Sequence, residues 1–209
     1  MLRCHKCGSE RVARILYGMP AFSDELEREL ADEKLYLGGC CVSGNDPRYH
    51  CFGCGKDIGK PPTFQGKFGI EDYREIITEV YFSCGGYDWG YEEVTLRHPD
   101  GPVEVLVKPS FIYDSGKQAT YRLGTEVEWQ RVIHALFDEL YLHEWKKRHV
   151  DPEVLDGTQW ELTLKLTGRR KREYYGSNLF PYRWDDLVAV FEPYFREAGA
   201  TMPLKGMDE

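Results

Sequence analysis

The chain has 209 residues with a formal net charge of −8, 30% charged and 42% hydrophobic residues, a globular balance that argues against wholesale disorder. An acidic pI near 5.4 disfavours generic affinity for nucleic-acid phosphates and leaves only a local basic patch for that role. No apolar run is long enough to span a bilayer and MLRCHKCG lacks a signal-peptide core, so the expectation is a cytoplasmic protein with no membrane association.

Seven cysteines are present, an odd number crowded toward the N-terminus, which reads as metal binding in a reducing compartment rather than a disulfide framework. The first pair, Cys4 and Cys7, lies in Cys-His-Lys-Cys-Gly; the second, Cys51 and Cys54, lies in Cys-Phe-Gly-Cys-Gly. Each is a knuckle in which a tight turn brings both thiolates toward one ion, and the following glycine turns the chain away at positive φ. Together they supply the four soft ligands of a closed tetrahedral site, for which zinc is the expected metal; iron in a rubredoxin-like site would use the same ligands. A module with little aliphatic core would draw folding free energy from that ion.

RVARILYG between the knuckles reads as a small strand. Ser23 is placed to cap a short acidic helix, SDELERELADEKL, with Leu26 and Leu30 on one face and a solvated opposite face. Cys40 and Cys41, behind Gly38-Gly39, are expected to be small buried residues packed against the ribbon. Two alternatives stand beside that reading: one of them, with His5 or His50, is an additional ligand, or they are a reactive or redox-sensing thiol pair, which a strained vicinal disulfide disfavours. His50 is otherwise expected to support the ligand Cys51 or to face solvent.

Residues 1–58 are thus expected to form a zinc-ribbon module with an inserted short helix. Residues 59–69, with Pro61-Pro62 and several glycines, read as a linker. Residues 70–200 are expected to form an α+β domain, an antiparallel sheet packed with two helices, and 201–209 a tail. EEVTL and VEVLV flank His98-Pro99-Asp100-Gly101 as a hairpin. Thr125 and Glu128 form a capping-box pattern ahead of Trp129, Val132, Ile133, Leu136, Phe137, Leu140 and Tyr141. WELTLKL alternates, so Trp160, Leu162, Leu164 and Leu166 face one way. A last helix should follow Pro181 and carry Trp184, Leu187, Val188 and Phe191 inward, kinked or ended by Pro193. Cys84 reads as core.

The order Cys-x-x-Cys-Gly-Ser, Leu16-Tyr17-Gly18-Met19-Pro20, Leu37-Gly38-Gly39-Cys40 and Cys51-x-x-Cys54-Gly55 resembles a recurrent zinc-ribbon module of uncharacterised bacterial proteins, over residues 1 to about 58. DGTQWELTL with GSNLFP is similar to C-terminal segments of uncharacterised bacterial proteins. Neither resemblance implies a known activity; in the ribbon family a cysteine equivalent to Cys40 belongs to the pattern, and Cys41 is a departure from it.

Two surface features point to partners. Asp156, Trp160, Asn178 and Trp184 could gather into a polar-aromatic face for a ligand or protein, although Asp-Gly and Gly-Ser-Asn are also ordinary turn chemistry. Arg169, Arg170, Lys171 and Arg172, followed by two tyrosines, could serve phosphates and stacked bases, or could be a solvated hairpin tip that guards a sheet edge. No nucleotide-binding or hydrolase motif is present. The favoured expectation is a non-catalytic zinc protein with a protein partner; nucleic-acid association and a thiol-dependent enzyme are the alternatives.

Overall fold

The computed structural model describes residues 3–67, 69–86, 90–110, 119–154 and 157–199, and the chain divides into two units, both of mixed α and β character. The first comprises residues 1–71 together with 141–145. Its strands are β1 (Val12–Leu16), β2 (Leu35–Leu37), β3 (Tyr49–Cys51) and β4 (Lys56–Ile58), ordered β2-β1-β3-β4, with helix α1 (Asp24–Ala31) between β1 and β2. The β1–β2 pair is parallel, and β1–β3 and β3–β4 are antiparallel. The parallel pair exists because α1 carries the chain back across the sheet, as a crossover must.

Ser23 caps α1 as its sequence predicts, accepting from the Leu26 amide at 3.2 Å, while Asp24, Glu25 and Glu27 occupy the first turn where the helix dipole favours negative charge. Leu26 is buried, and the acidic side chains beside it face solvent. The expected linker, 59–69, holds β5 (Thr63–Gly66) and the first residue of β6 (Gly69–Asp72), which pair as a two-stranded sheet. Pro61-Pro62 ends before these strands begin, so the prolines do not interrupt their pairing.

The second unit comprises 72–140 and 146–209. A single turn, α2 (Tyr73–Ile76), leads into β7 (Ile77–Gly86), β8 (Gly90–Arg97), β9 (Glu104–Ser110) and β10 (Thr120–Leu123); then follow α3 (Glu126–His134), a π-helical turn (Ala135–Glu139), β11 (Arg148–Val150), β12 (Thr158–Leu166), β13 (Arg170–Ser177) and α4 (Trp184–Glu197). The sheet order is β10-β9-β8-β7-β12-β13-β11. Every pair in it is antiparallel except β11 with β13.

Register explains the core. Leu162 lies opposite Phe82, which lies opposite Val94 and then Val107; Leu164, Val80, Leu96 and Val105 form the next row. All are buried, because alternate positions on neighbouring strands share one face. Helix α4 covers that face through Leu187, Phe191, Tyr194 and Phe195, with the Phe191 ring stacked on Phe82 at 4.5 Å. The capping box before α3 is formed in both directions, Thr125 with the Glu128 amide and Glu128 with the Thr125 amide. Pro193 neither ends α4 nor limits its packing, since it faces solvent while Tyr194 and Phe195 continue the buried stripe to Glu197.

Phe82 is fully buried at the centre of this aromatic stack. Replacing it by alanine is expected to destabilise the second unit by about 3–5 kcal/mol through lost transfer energy and the cavity left behind. Denaturant unfolding followed by tryptophan fluorescence measures this; a loss below about 1 kcal/mol would show that the row does not organise the core.

Candidate metal centre

Two turns build the site. In the first, the Gly8 amide donates to the Cys4 carbonyl at 2.8 Å with Gly8 at φ +78°; in the second, the Gly55 amide donates to the Cys51 carbonyl at 2.8 Å with Gly55 at φ +66°. Both glycines adopt the left-handed conformation that side chains disfavour. Gly53 is needed for a different reason: a Cβ there would sit 2.5 Å from the Ser9 side chain. Strand pairing holds the knuckles together, with Val12 opposite Cys51 and the Phe52 amide donating to the Arg11 carbonyl at 2.9 Å.

The ligand atoms of Cys4, Cys7, Cys51 and Cys54 all lie within 4.8 Å of one another. Cys4 Sγ is 3.9 Å from Cys54 Sγ, and Cys7 Sγ is 3.7 Å from Cys51 Sγ. A tetrahedral ion with bonds of about 2.3 Å to sulfur separates its ligands by about 3.8 Å, so the four thiols fit one metal ion. Cys4 and Cys51 are fully buried and pack with Ile58 against Val12 and Tyr49.

Burial pushes Cys4 up to about 12 against the amides of Lys6 and Cys7. Burial also opposes ionisation of Cys51, but the Cys54 amide and the thiols of Cys4, Cys7 and Cys54 overcome it and bring Cys51 down to about 7. Four thiolates this close repel one another strongly, and a divalent cation is the natural compensation.

His5, between the first two cysteines, meets a partner that no local pattern announces. Its Nε2 is 3.1 Å from Glu144 Oε2, Lys6 Nζ is 3.3 Å from the same oxygen, and Glu144 Oε1 accepts the Lys60 amide at 2.7 Å. The His5 ring stacks on Tyr141 at 5.0 Å, and His143 Nε2 donates to the Lys60 carbonyl at 2.9 Å. Burial would raise the Glu144 carboxyl, yet the bonds from His5 and the Lys60 amide and the charge of Lys6 hold it down to about 2. The short turn 141–145 is therefore part of the knuckle's environment.

His50 lies outside the four-thiol group. It neighbours Cys51 in β3, and consecutive strand residues point to opposite faces. Its Nδ1 lies 2.7 Å from Asp57 Oδ1, and its ring stacks on Tyr36 at 3.7 Å with Phe52 edge-on at 5.1 Å.

Cys40 and Cys41 correct a second expectation, since both are exposed and neither joins the four-thiol group. Gly38 makes the tight approach that the sequence suggests, for a Cβ there would meet Ile15 and Tyr17 at 2.5 Å; Gly39 has nothing within 4 Å. The close packing stops one residue before the thiols. Cys84 is core as expected, with burial pushing its thiol up to about 12.

The expected polar-aromatic face does not form around Trp160, which is 2% exposed, donates Nε1–H to the Leu179 carbonyl at 3.1 Å and lies 5.2 Å from the Trp184 ring. It faces the helix-covered side of the sheet because of the same alternation that buries Leu162. Asn178 holds a left-handed turn at φ +56° with its amide on the Thr158 carbonyl, and Asp156 lies outside the described residues. The basic run is divided: Lys171 pairs with Glu173 at 2.6 Å, the Arg172 guanidinium bonds the Tyr73 hydroxyl on the covered face, Arg170 Nε donates to the Thr167 carbonyl at 3.1 Å, and Arg169 takes φ +63° in the hairpin turn.

No protein-family model matches the chain, and no curated protein matches it. Among the described residues no helix is long and apolar enough to cross a membrane.

Two outcomes follow from this geometry. Glu144→Ala is expected to weaken metal binding about 10–100-fold, the usual cost of losing a group that orients a ligand's surroundings, with Glu144→Gln intermediate because it keeps an oxygen for the Lys60 amide. Competition against a chromophoric chelator reads the affinity, and an unchanged affinity in Glu144→Ala would remove the clamp from the account. With metal bound, brief alkylation should label Cys40 and Cys41 and spare the other five cysteines; peptide mass mapping that finds 40 and 41 protected would contradict their exposure.

Proposed function

We propose that this chain is a zinc-binding, non-catalytic protein of the cytoplasm that acts by engaging another protein, with Cys4, Cys7, Cys51 and Cys54 as the ligands of one structural zinc ion. The observation that carries the reading is the closed donor set: four thiols meet with no room in a tetrahedral shell for water or substrate, and catalytic zinc keeps such a position open. Zinc is preferred over iron because the rest of the chain offers nothing suited to electron transfer. The resemblance of residues 1–58 to a bacterial zinc-ribbon module agrees with this assignment.

A protein partner is supported by the first unit's surface. Phe22 and Val42 are 68% and 67% exposed, and α1, which begins just after Phe22, carries Asp24, Glu25, Glu27 and Glu29 against the single cation Arg28. Isolated exposed apolar residues beside an acidic helix suit a partner with a basic, partly apolar face. Nucleic-acid binding through the hairpin is the weaker reading, because Lys171 and Arg172 already have partners within the unit.

Elemental analysis of protein purified without added metal tests the ligand assignment, with about one zinc per chain expected from a single tetrahedral site. A folded first unit carrying well under one metal ion per chain would refute it. Iron at the same stoichiometry, visible by thiolate-to-iron absorbance, would replace the metal and revive electron transfer.

A further inference from the structure

The two faces of the second unit's sheet differ in character. Helix α4 covers the face that carries Phe82 and Leu162, and α3 belongs to the same side: the Arg122 guanidinium that pairs with Glu128 of α3 lies over the Tyr194 ring of α4 at 5.9 Å. Phe137, in the turn after α3, stacks on Tyr73, whose hydroxyl takes Arg172 from the covered face. Among the described residues no helix is placed against the opposite face.

The pairing register fixes what that open face displays. A middle row of uncharged residues, Thr163, Tyr81, Thr95, Leu106 and Tyr121, crosses β12, β7, β8, β9 and β10. Tyr121, at its edge, is 61% exposed. Two residues away along the strands on one side lie Glu161, Ser83, Glu93 and Lys108; on the other side lie Lys165, Glu79, Arg97 and Glu104. Each of β12, β8 and β9 therefore carries an acid and a base about one uncharged residue: Glu161 and Lys165 about Thr163, Glu93 and Arg97 about Thr95, Glu104 and Lys108 about Leu106.

A solvated sheet face needs only polar side chains, in any order of sign. Here the signs are matched about a single row. A twofold axis laid along that row exchanges the two charged rows between facing copies, so that Glu161 faces Lys165, Glu93 faces Arg97 and Lys108 faces Glu104 of the second copy, each contact occurring twice. The charges left over suit this exchange. Arg97 and Lys165, 49% and 53% exposed, share the single carboxylate of Glu79 at 2.6 and 2.7 Å. Glu161 accepts only from the Thr163 hydroxyl, and the side chains of Glu93 and Lys108 make no ion pair among the described residues. At the outer strand β13, Glu173 would meet its own copy, but Lys171 already neutralises it at 2.6 Å.

We propose that the open face of this sheet is a docking surface for a second copy of the chain, packed face to face about the Thr163–Tyr81–Thr95–Leu106 row. Facing sheets lie about 10 Å apart with strand directions within about 30°, a gap that opposed glutamate, lysine and arginine side chains bridge. Six strands by five residues give an interface of about 1,000 Å² over both copies, at the lower bound for specific association. The dimer is accordingly a reversible one, held in the micromolar range and weakened by salt. The surface lies wholly in the second unit and is independent of the metal assignment.

Sedimentation equilibrium of the full-length, zinc-loaded protein tests this, with a phosphine reductant to stop the exposed Cys40 and Cys41 from cross-linking copies. The 24.3 kDa chain is expected to exchange with a dimer whose dissociation constant rises with ionic strength. Lys108→Glu, which sets two carboxylates against each other at both symmetric contacts, should weaken the dimer about tenfold. Adding Glu104→Lys to it reverses both signs and should restore the affinity to within about threefold of the unsubstituted protein. Glu93→Gln with Glu161→Gln, which leaves the Glu79 pairs intact, should weaken the dimer as Lys108→Glu does. Circular dichroism should match throughout, since the substituted side chains lie on the open face. A monomer at every concentration in low salt would overturn the proposal. So would a dimer indifferent to salt and to Lys108→Glu, or a folded Glu104→Lys, Lys108→Glu variant that stays as weak as Lys108→Glu alone, for either would place the contact elsewhere.

Discussion

Four thiols brought within 4.8 Å of one another constitute the constraint on which the first unit depends. Without a cation the arrangement is self-opposing, because thiolates this close repel one another and burial further opposes the ionisation of Cys4. With a divalent ion the same crowding becomes four bonds. The strands around it are short, three to five residues each, and the unit's buried apolar residues are few, Ala13, Ile15, Leu26, Leu35, Ile58, Leu142 and Trp145 beside Cys4 and Cys51. Hydrophobic burial of that extent is small against the conformational entropy of ordering the unit, and the proposed metal ion would complete the balance.

The clamp at Glu144 extends the constraint to a distant part of the sequence. A single carboxylate takes a hydrogen bond from the Lys60 amide and meets both residues between Cys4 and Cys7. A buried carboxylate with such partners stays ionised, and its removal would leave the buried His5 ring without this partner and the Lys60 amide without its acceptor. The shape of the first knuckle is therefore fixed by its ligands on one side and by the 141–145 turn on the other.

Features governed by local chemistry were legible in the sequence. The two Cys-x-x-Cys-Gly knuckles, the Ser23 cap, the Thr125–Glu128 capping box and the alternation of Trp160 to Leu166 each follow from spacing over a few residues, and each has its physical counterpart in the structure. The mixed α+β class followed from them. What could not be read were contacts set by distant parts of the chain. His5 to Glu144 spans 139 positions and has no periodic or motif signature. Strand alternation did foretell that Trp160 would be buried, which conflicts with placing it on a partner surface; the periodicity was the better guide. The burial expected for Cys40 and Cys41 failed at one residue, because close packing demonstrated at Gly38 does not continue through Gly39.

Amide hydrogen exchange of the metal-loaded protein, compared before and after chelation, tests the dependence of the first unit on its ion most directly. The account predicts that β1, β3, β4 and residues 141–145 lose protection together when metal is removed, while β7, β8 and β12 keep theirs. Retention of full protection in β1, β3 and β4 after complete metal removal would contradict it, for it would show that the four thiols can be held together without a cation.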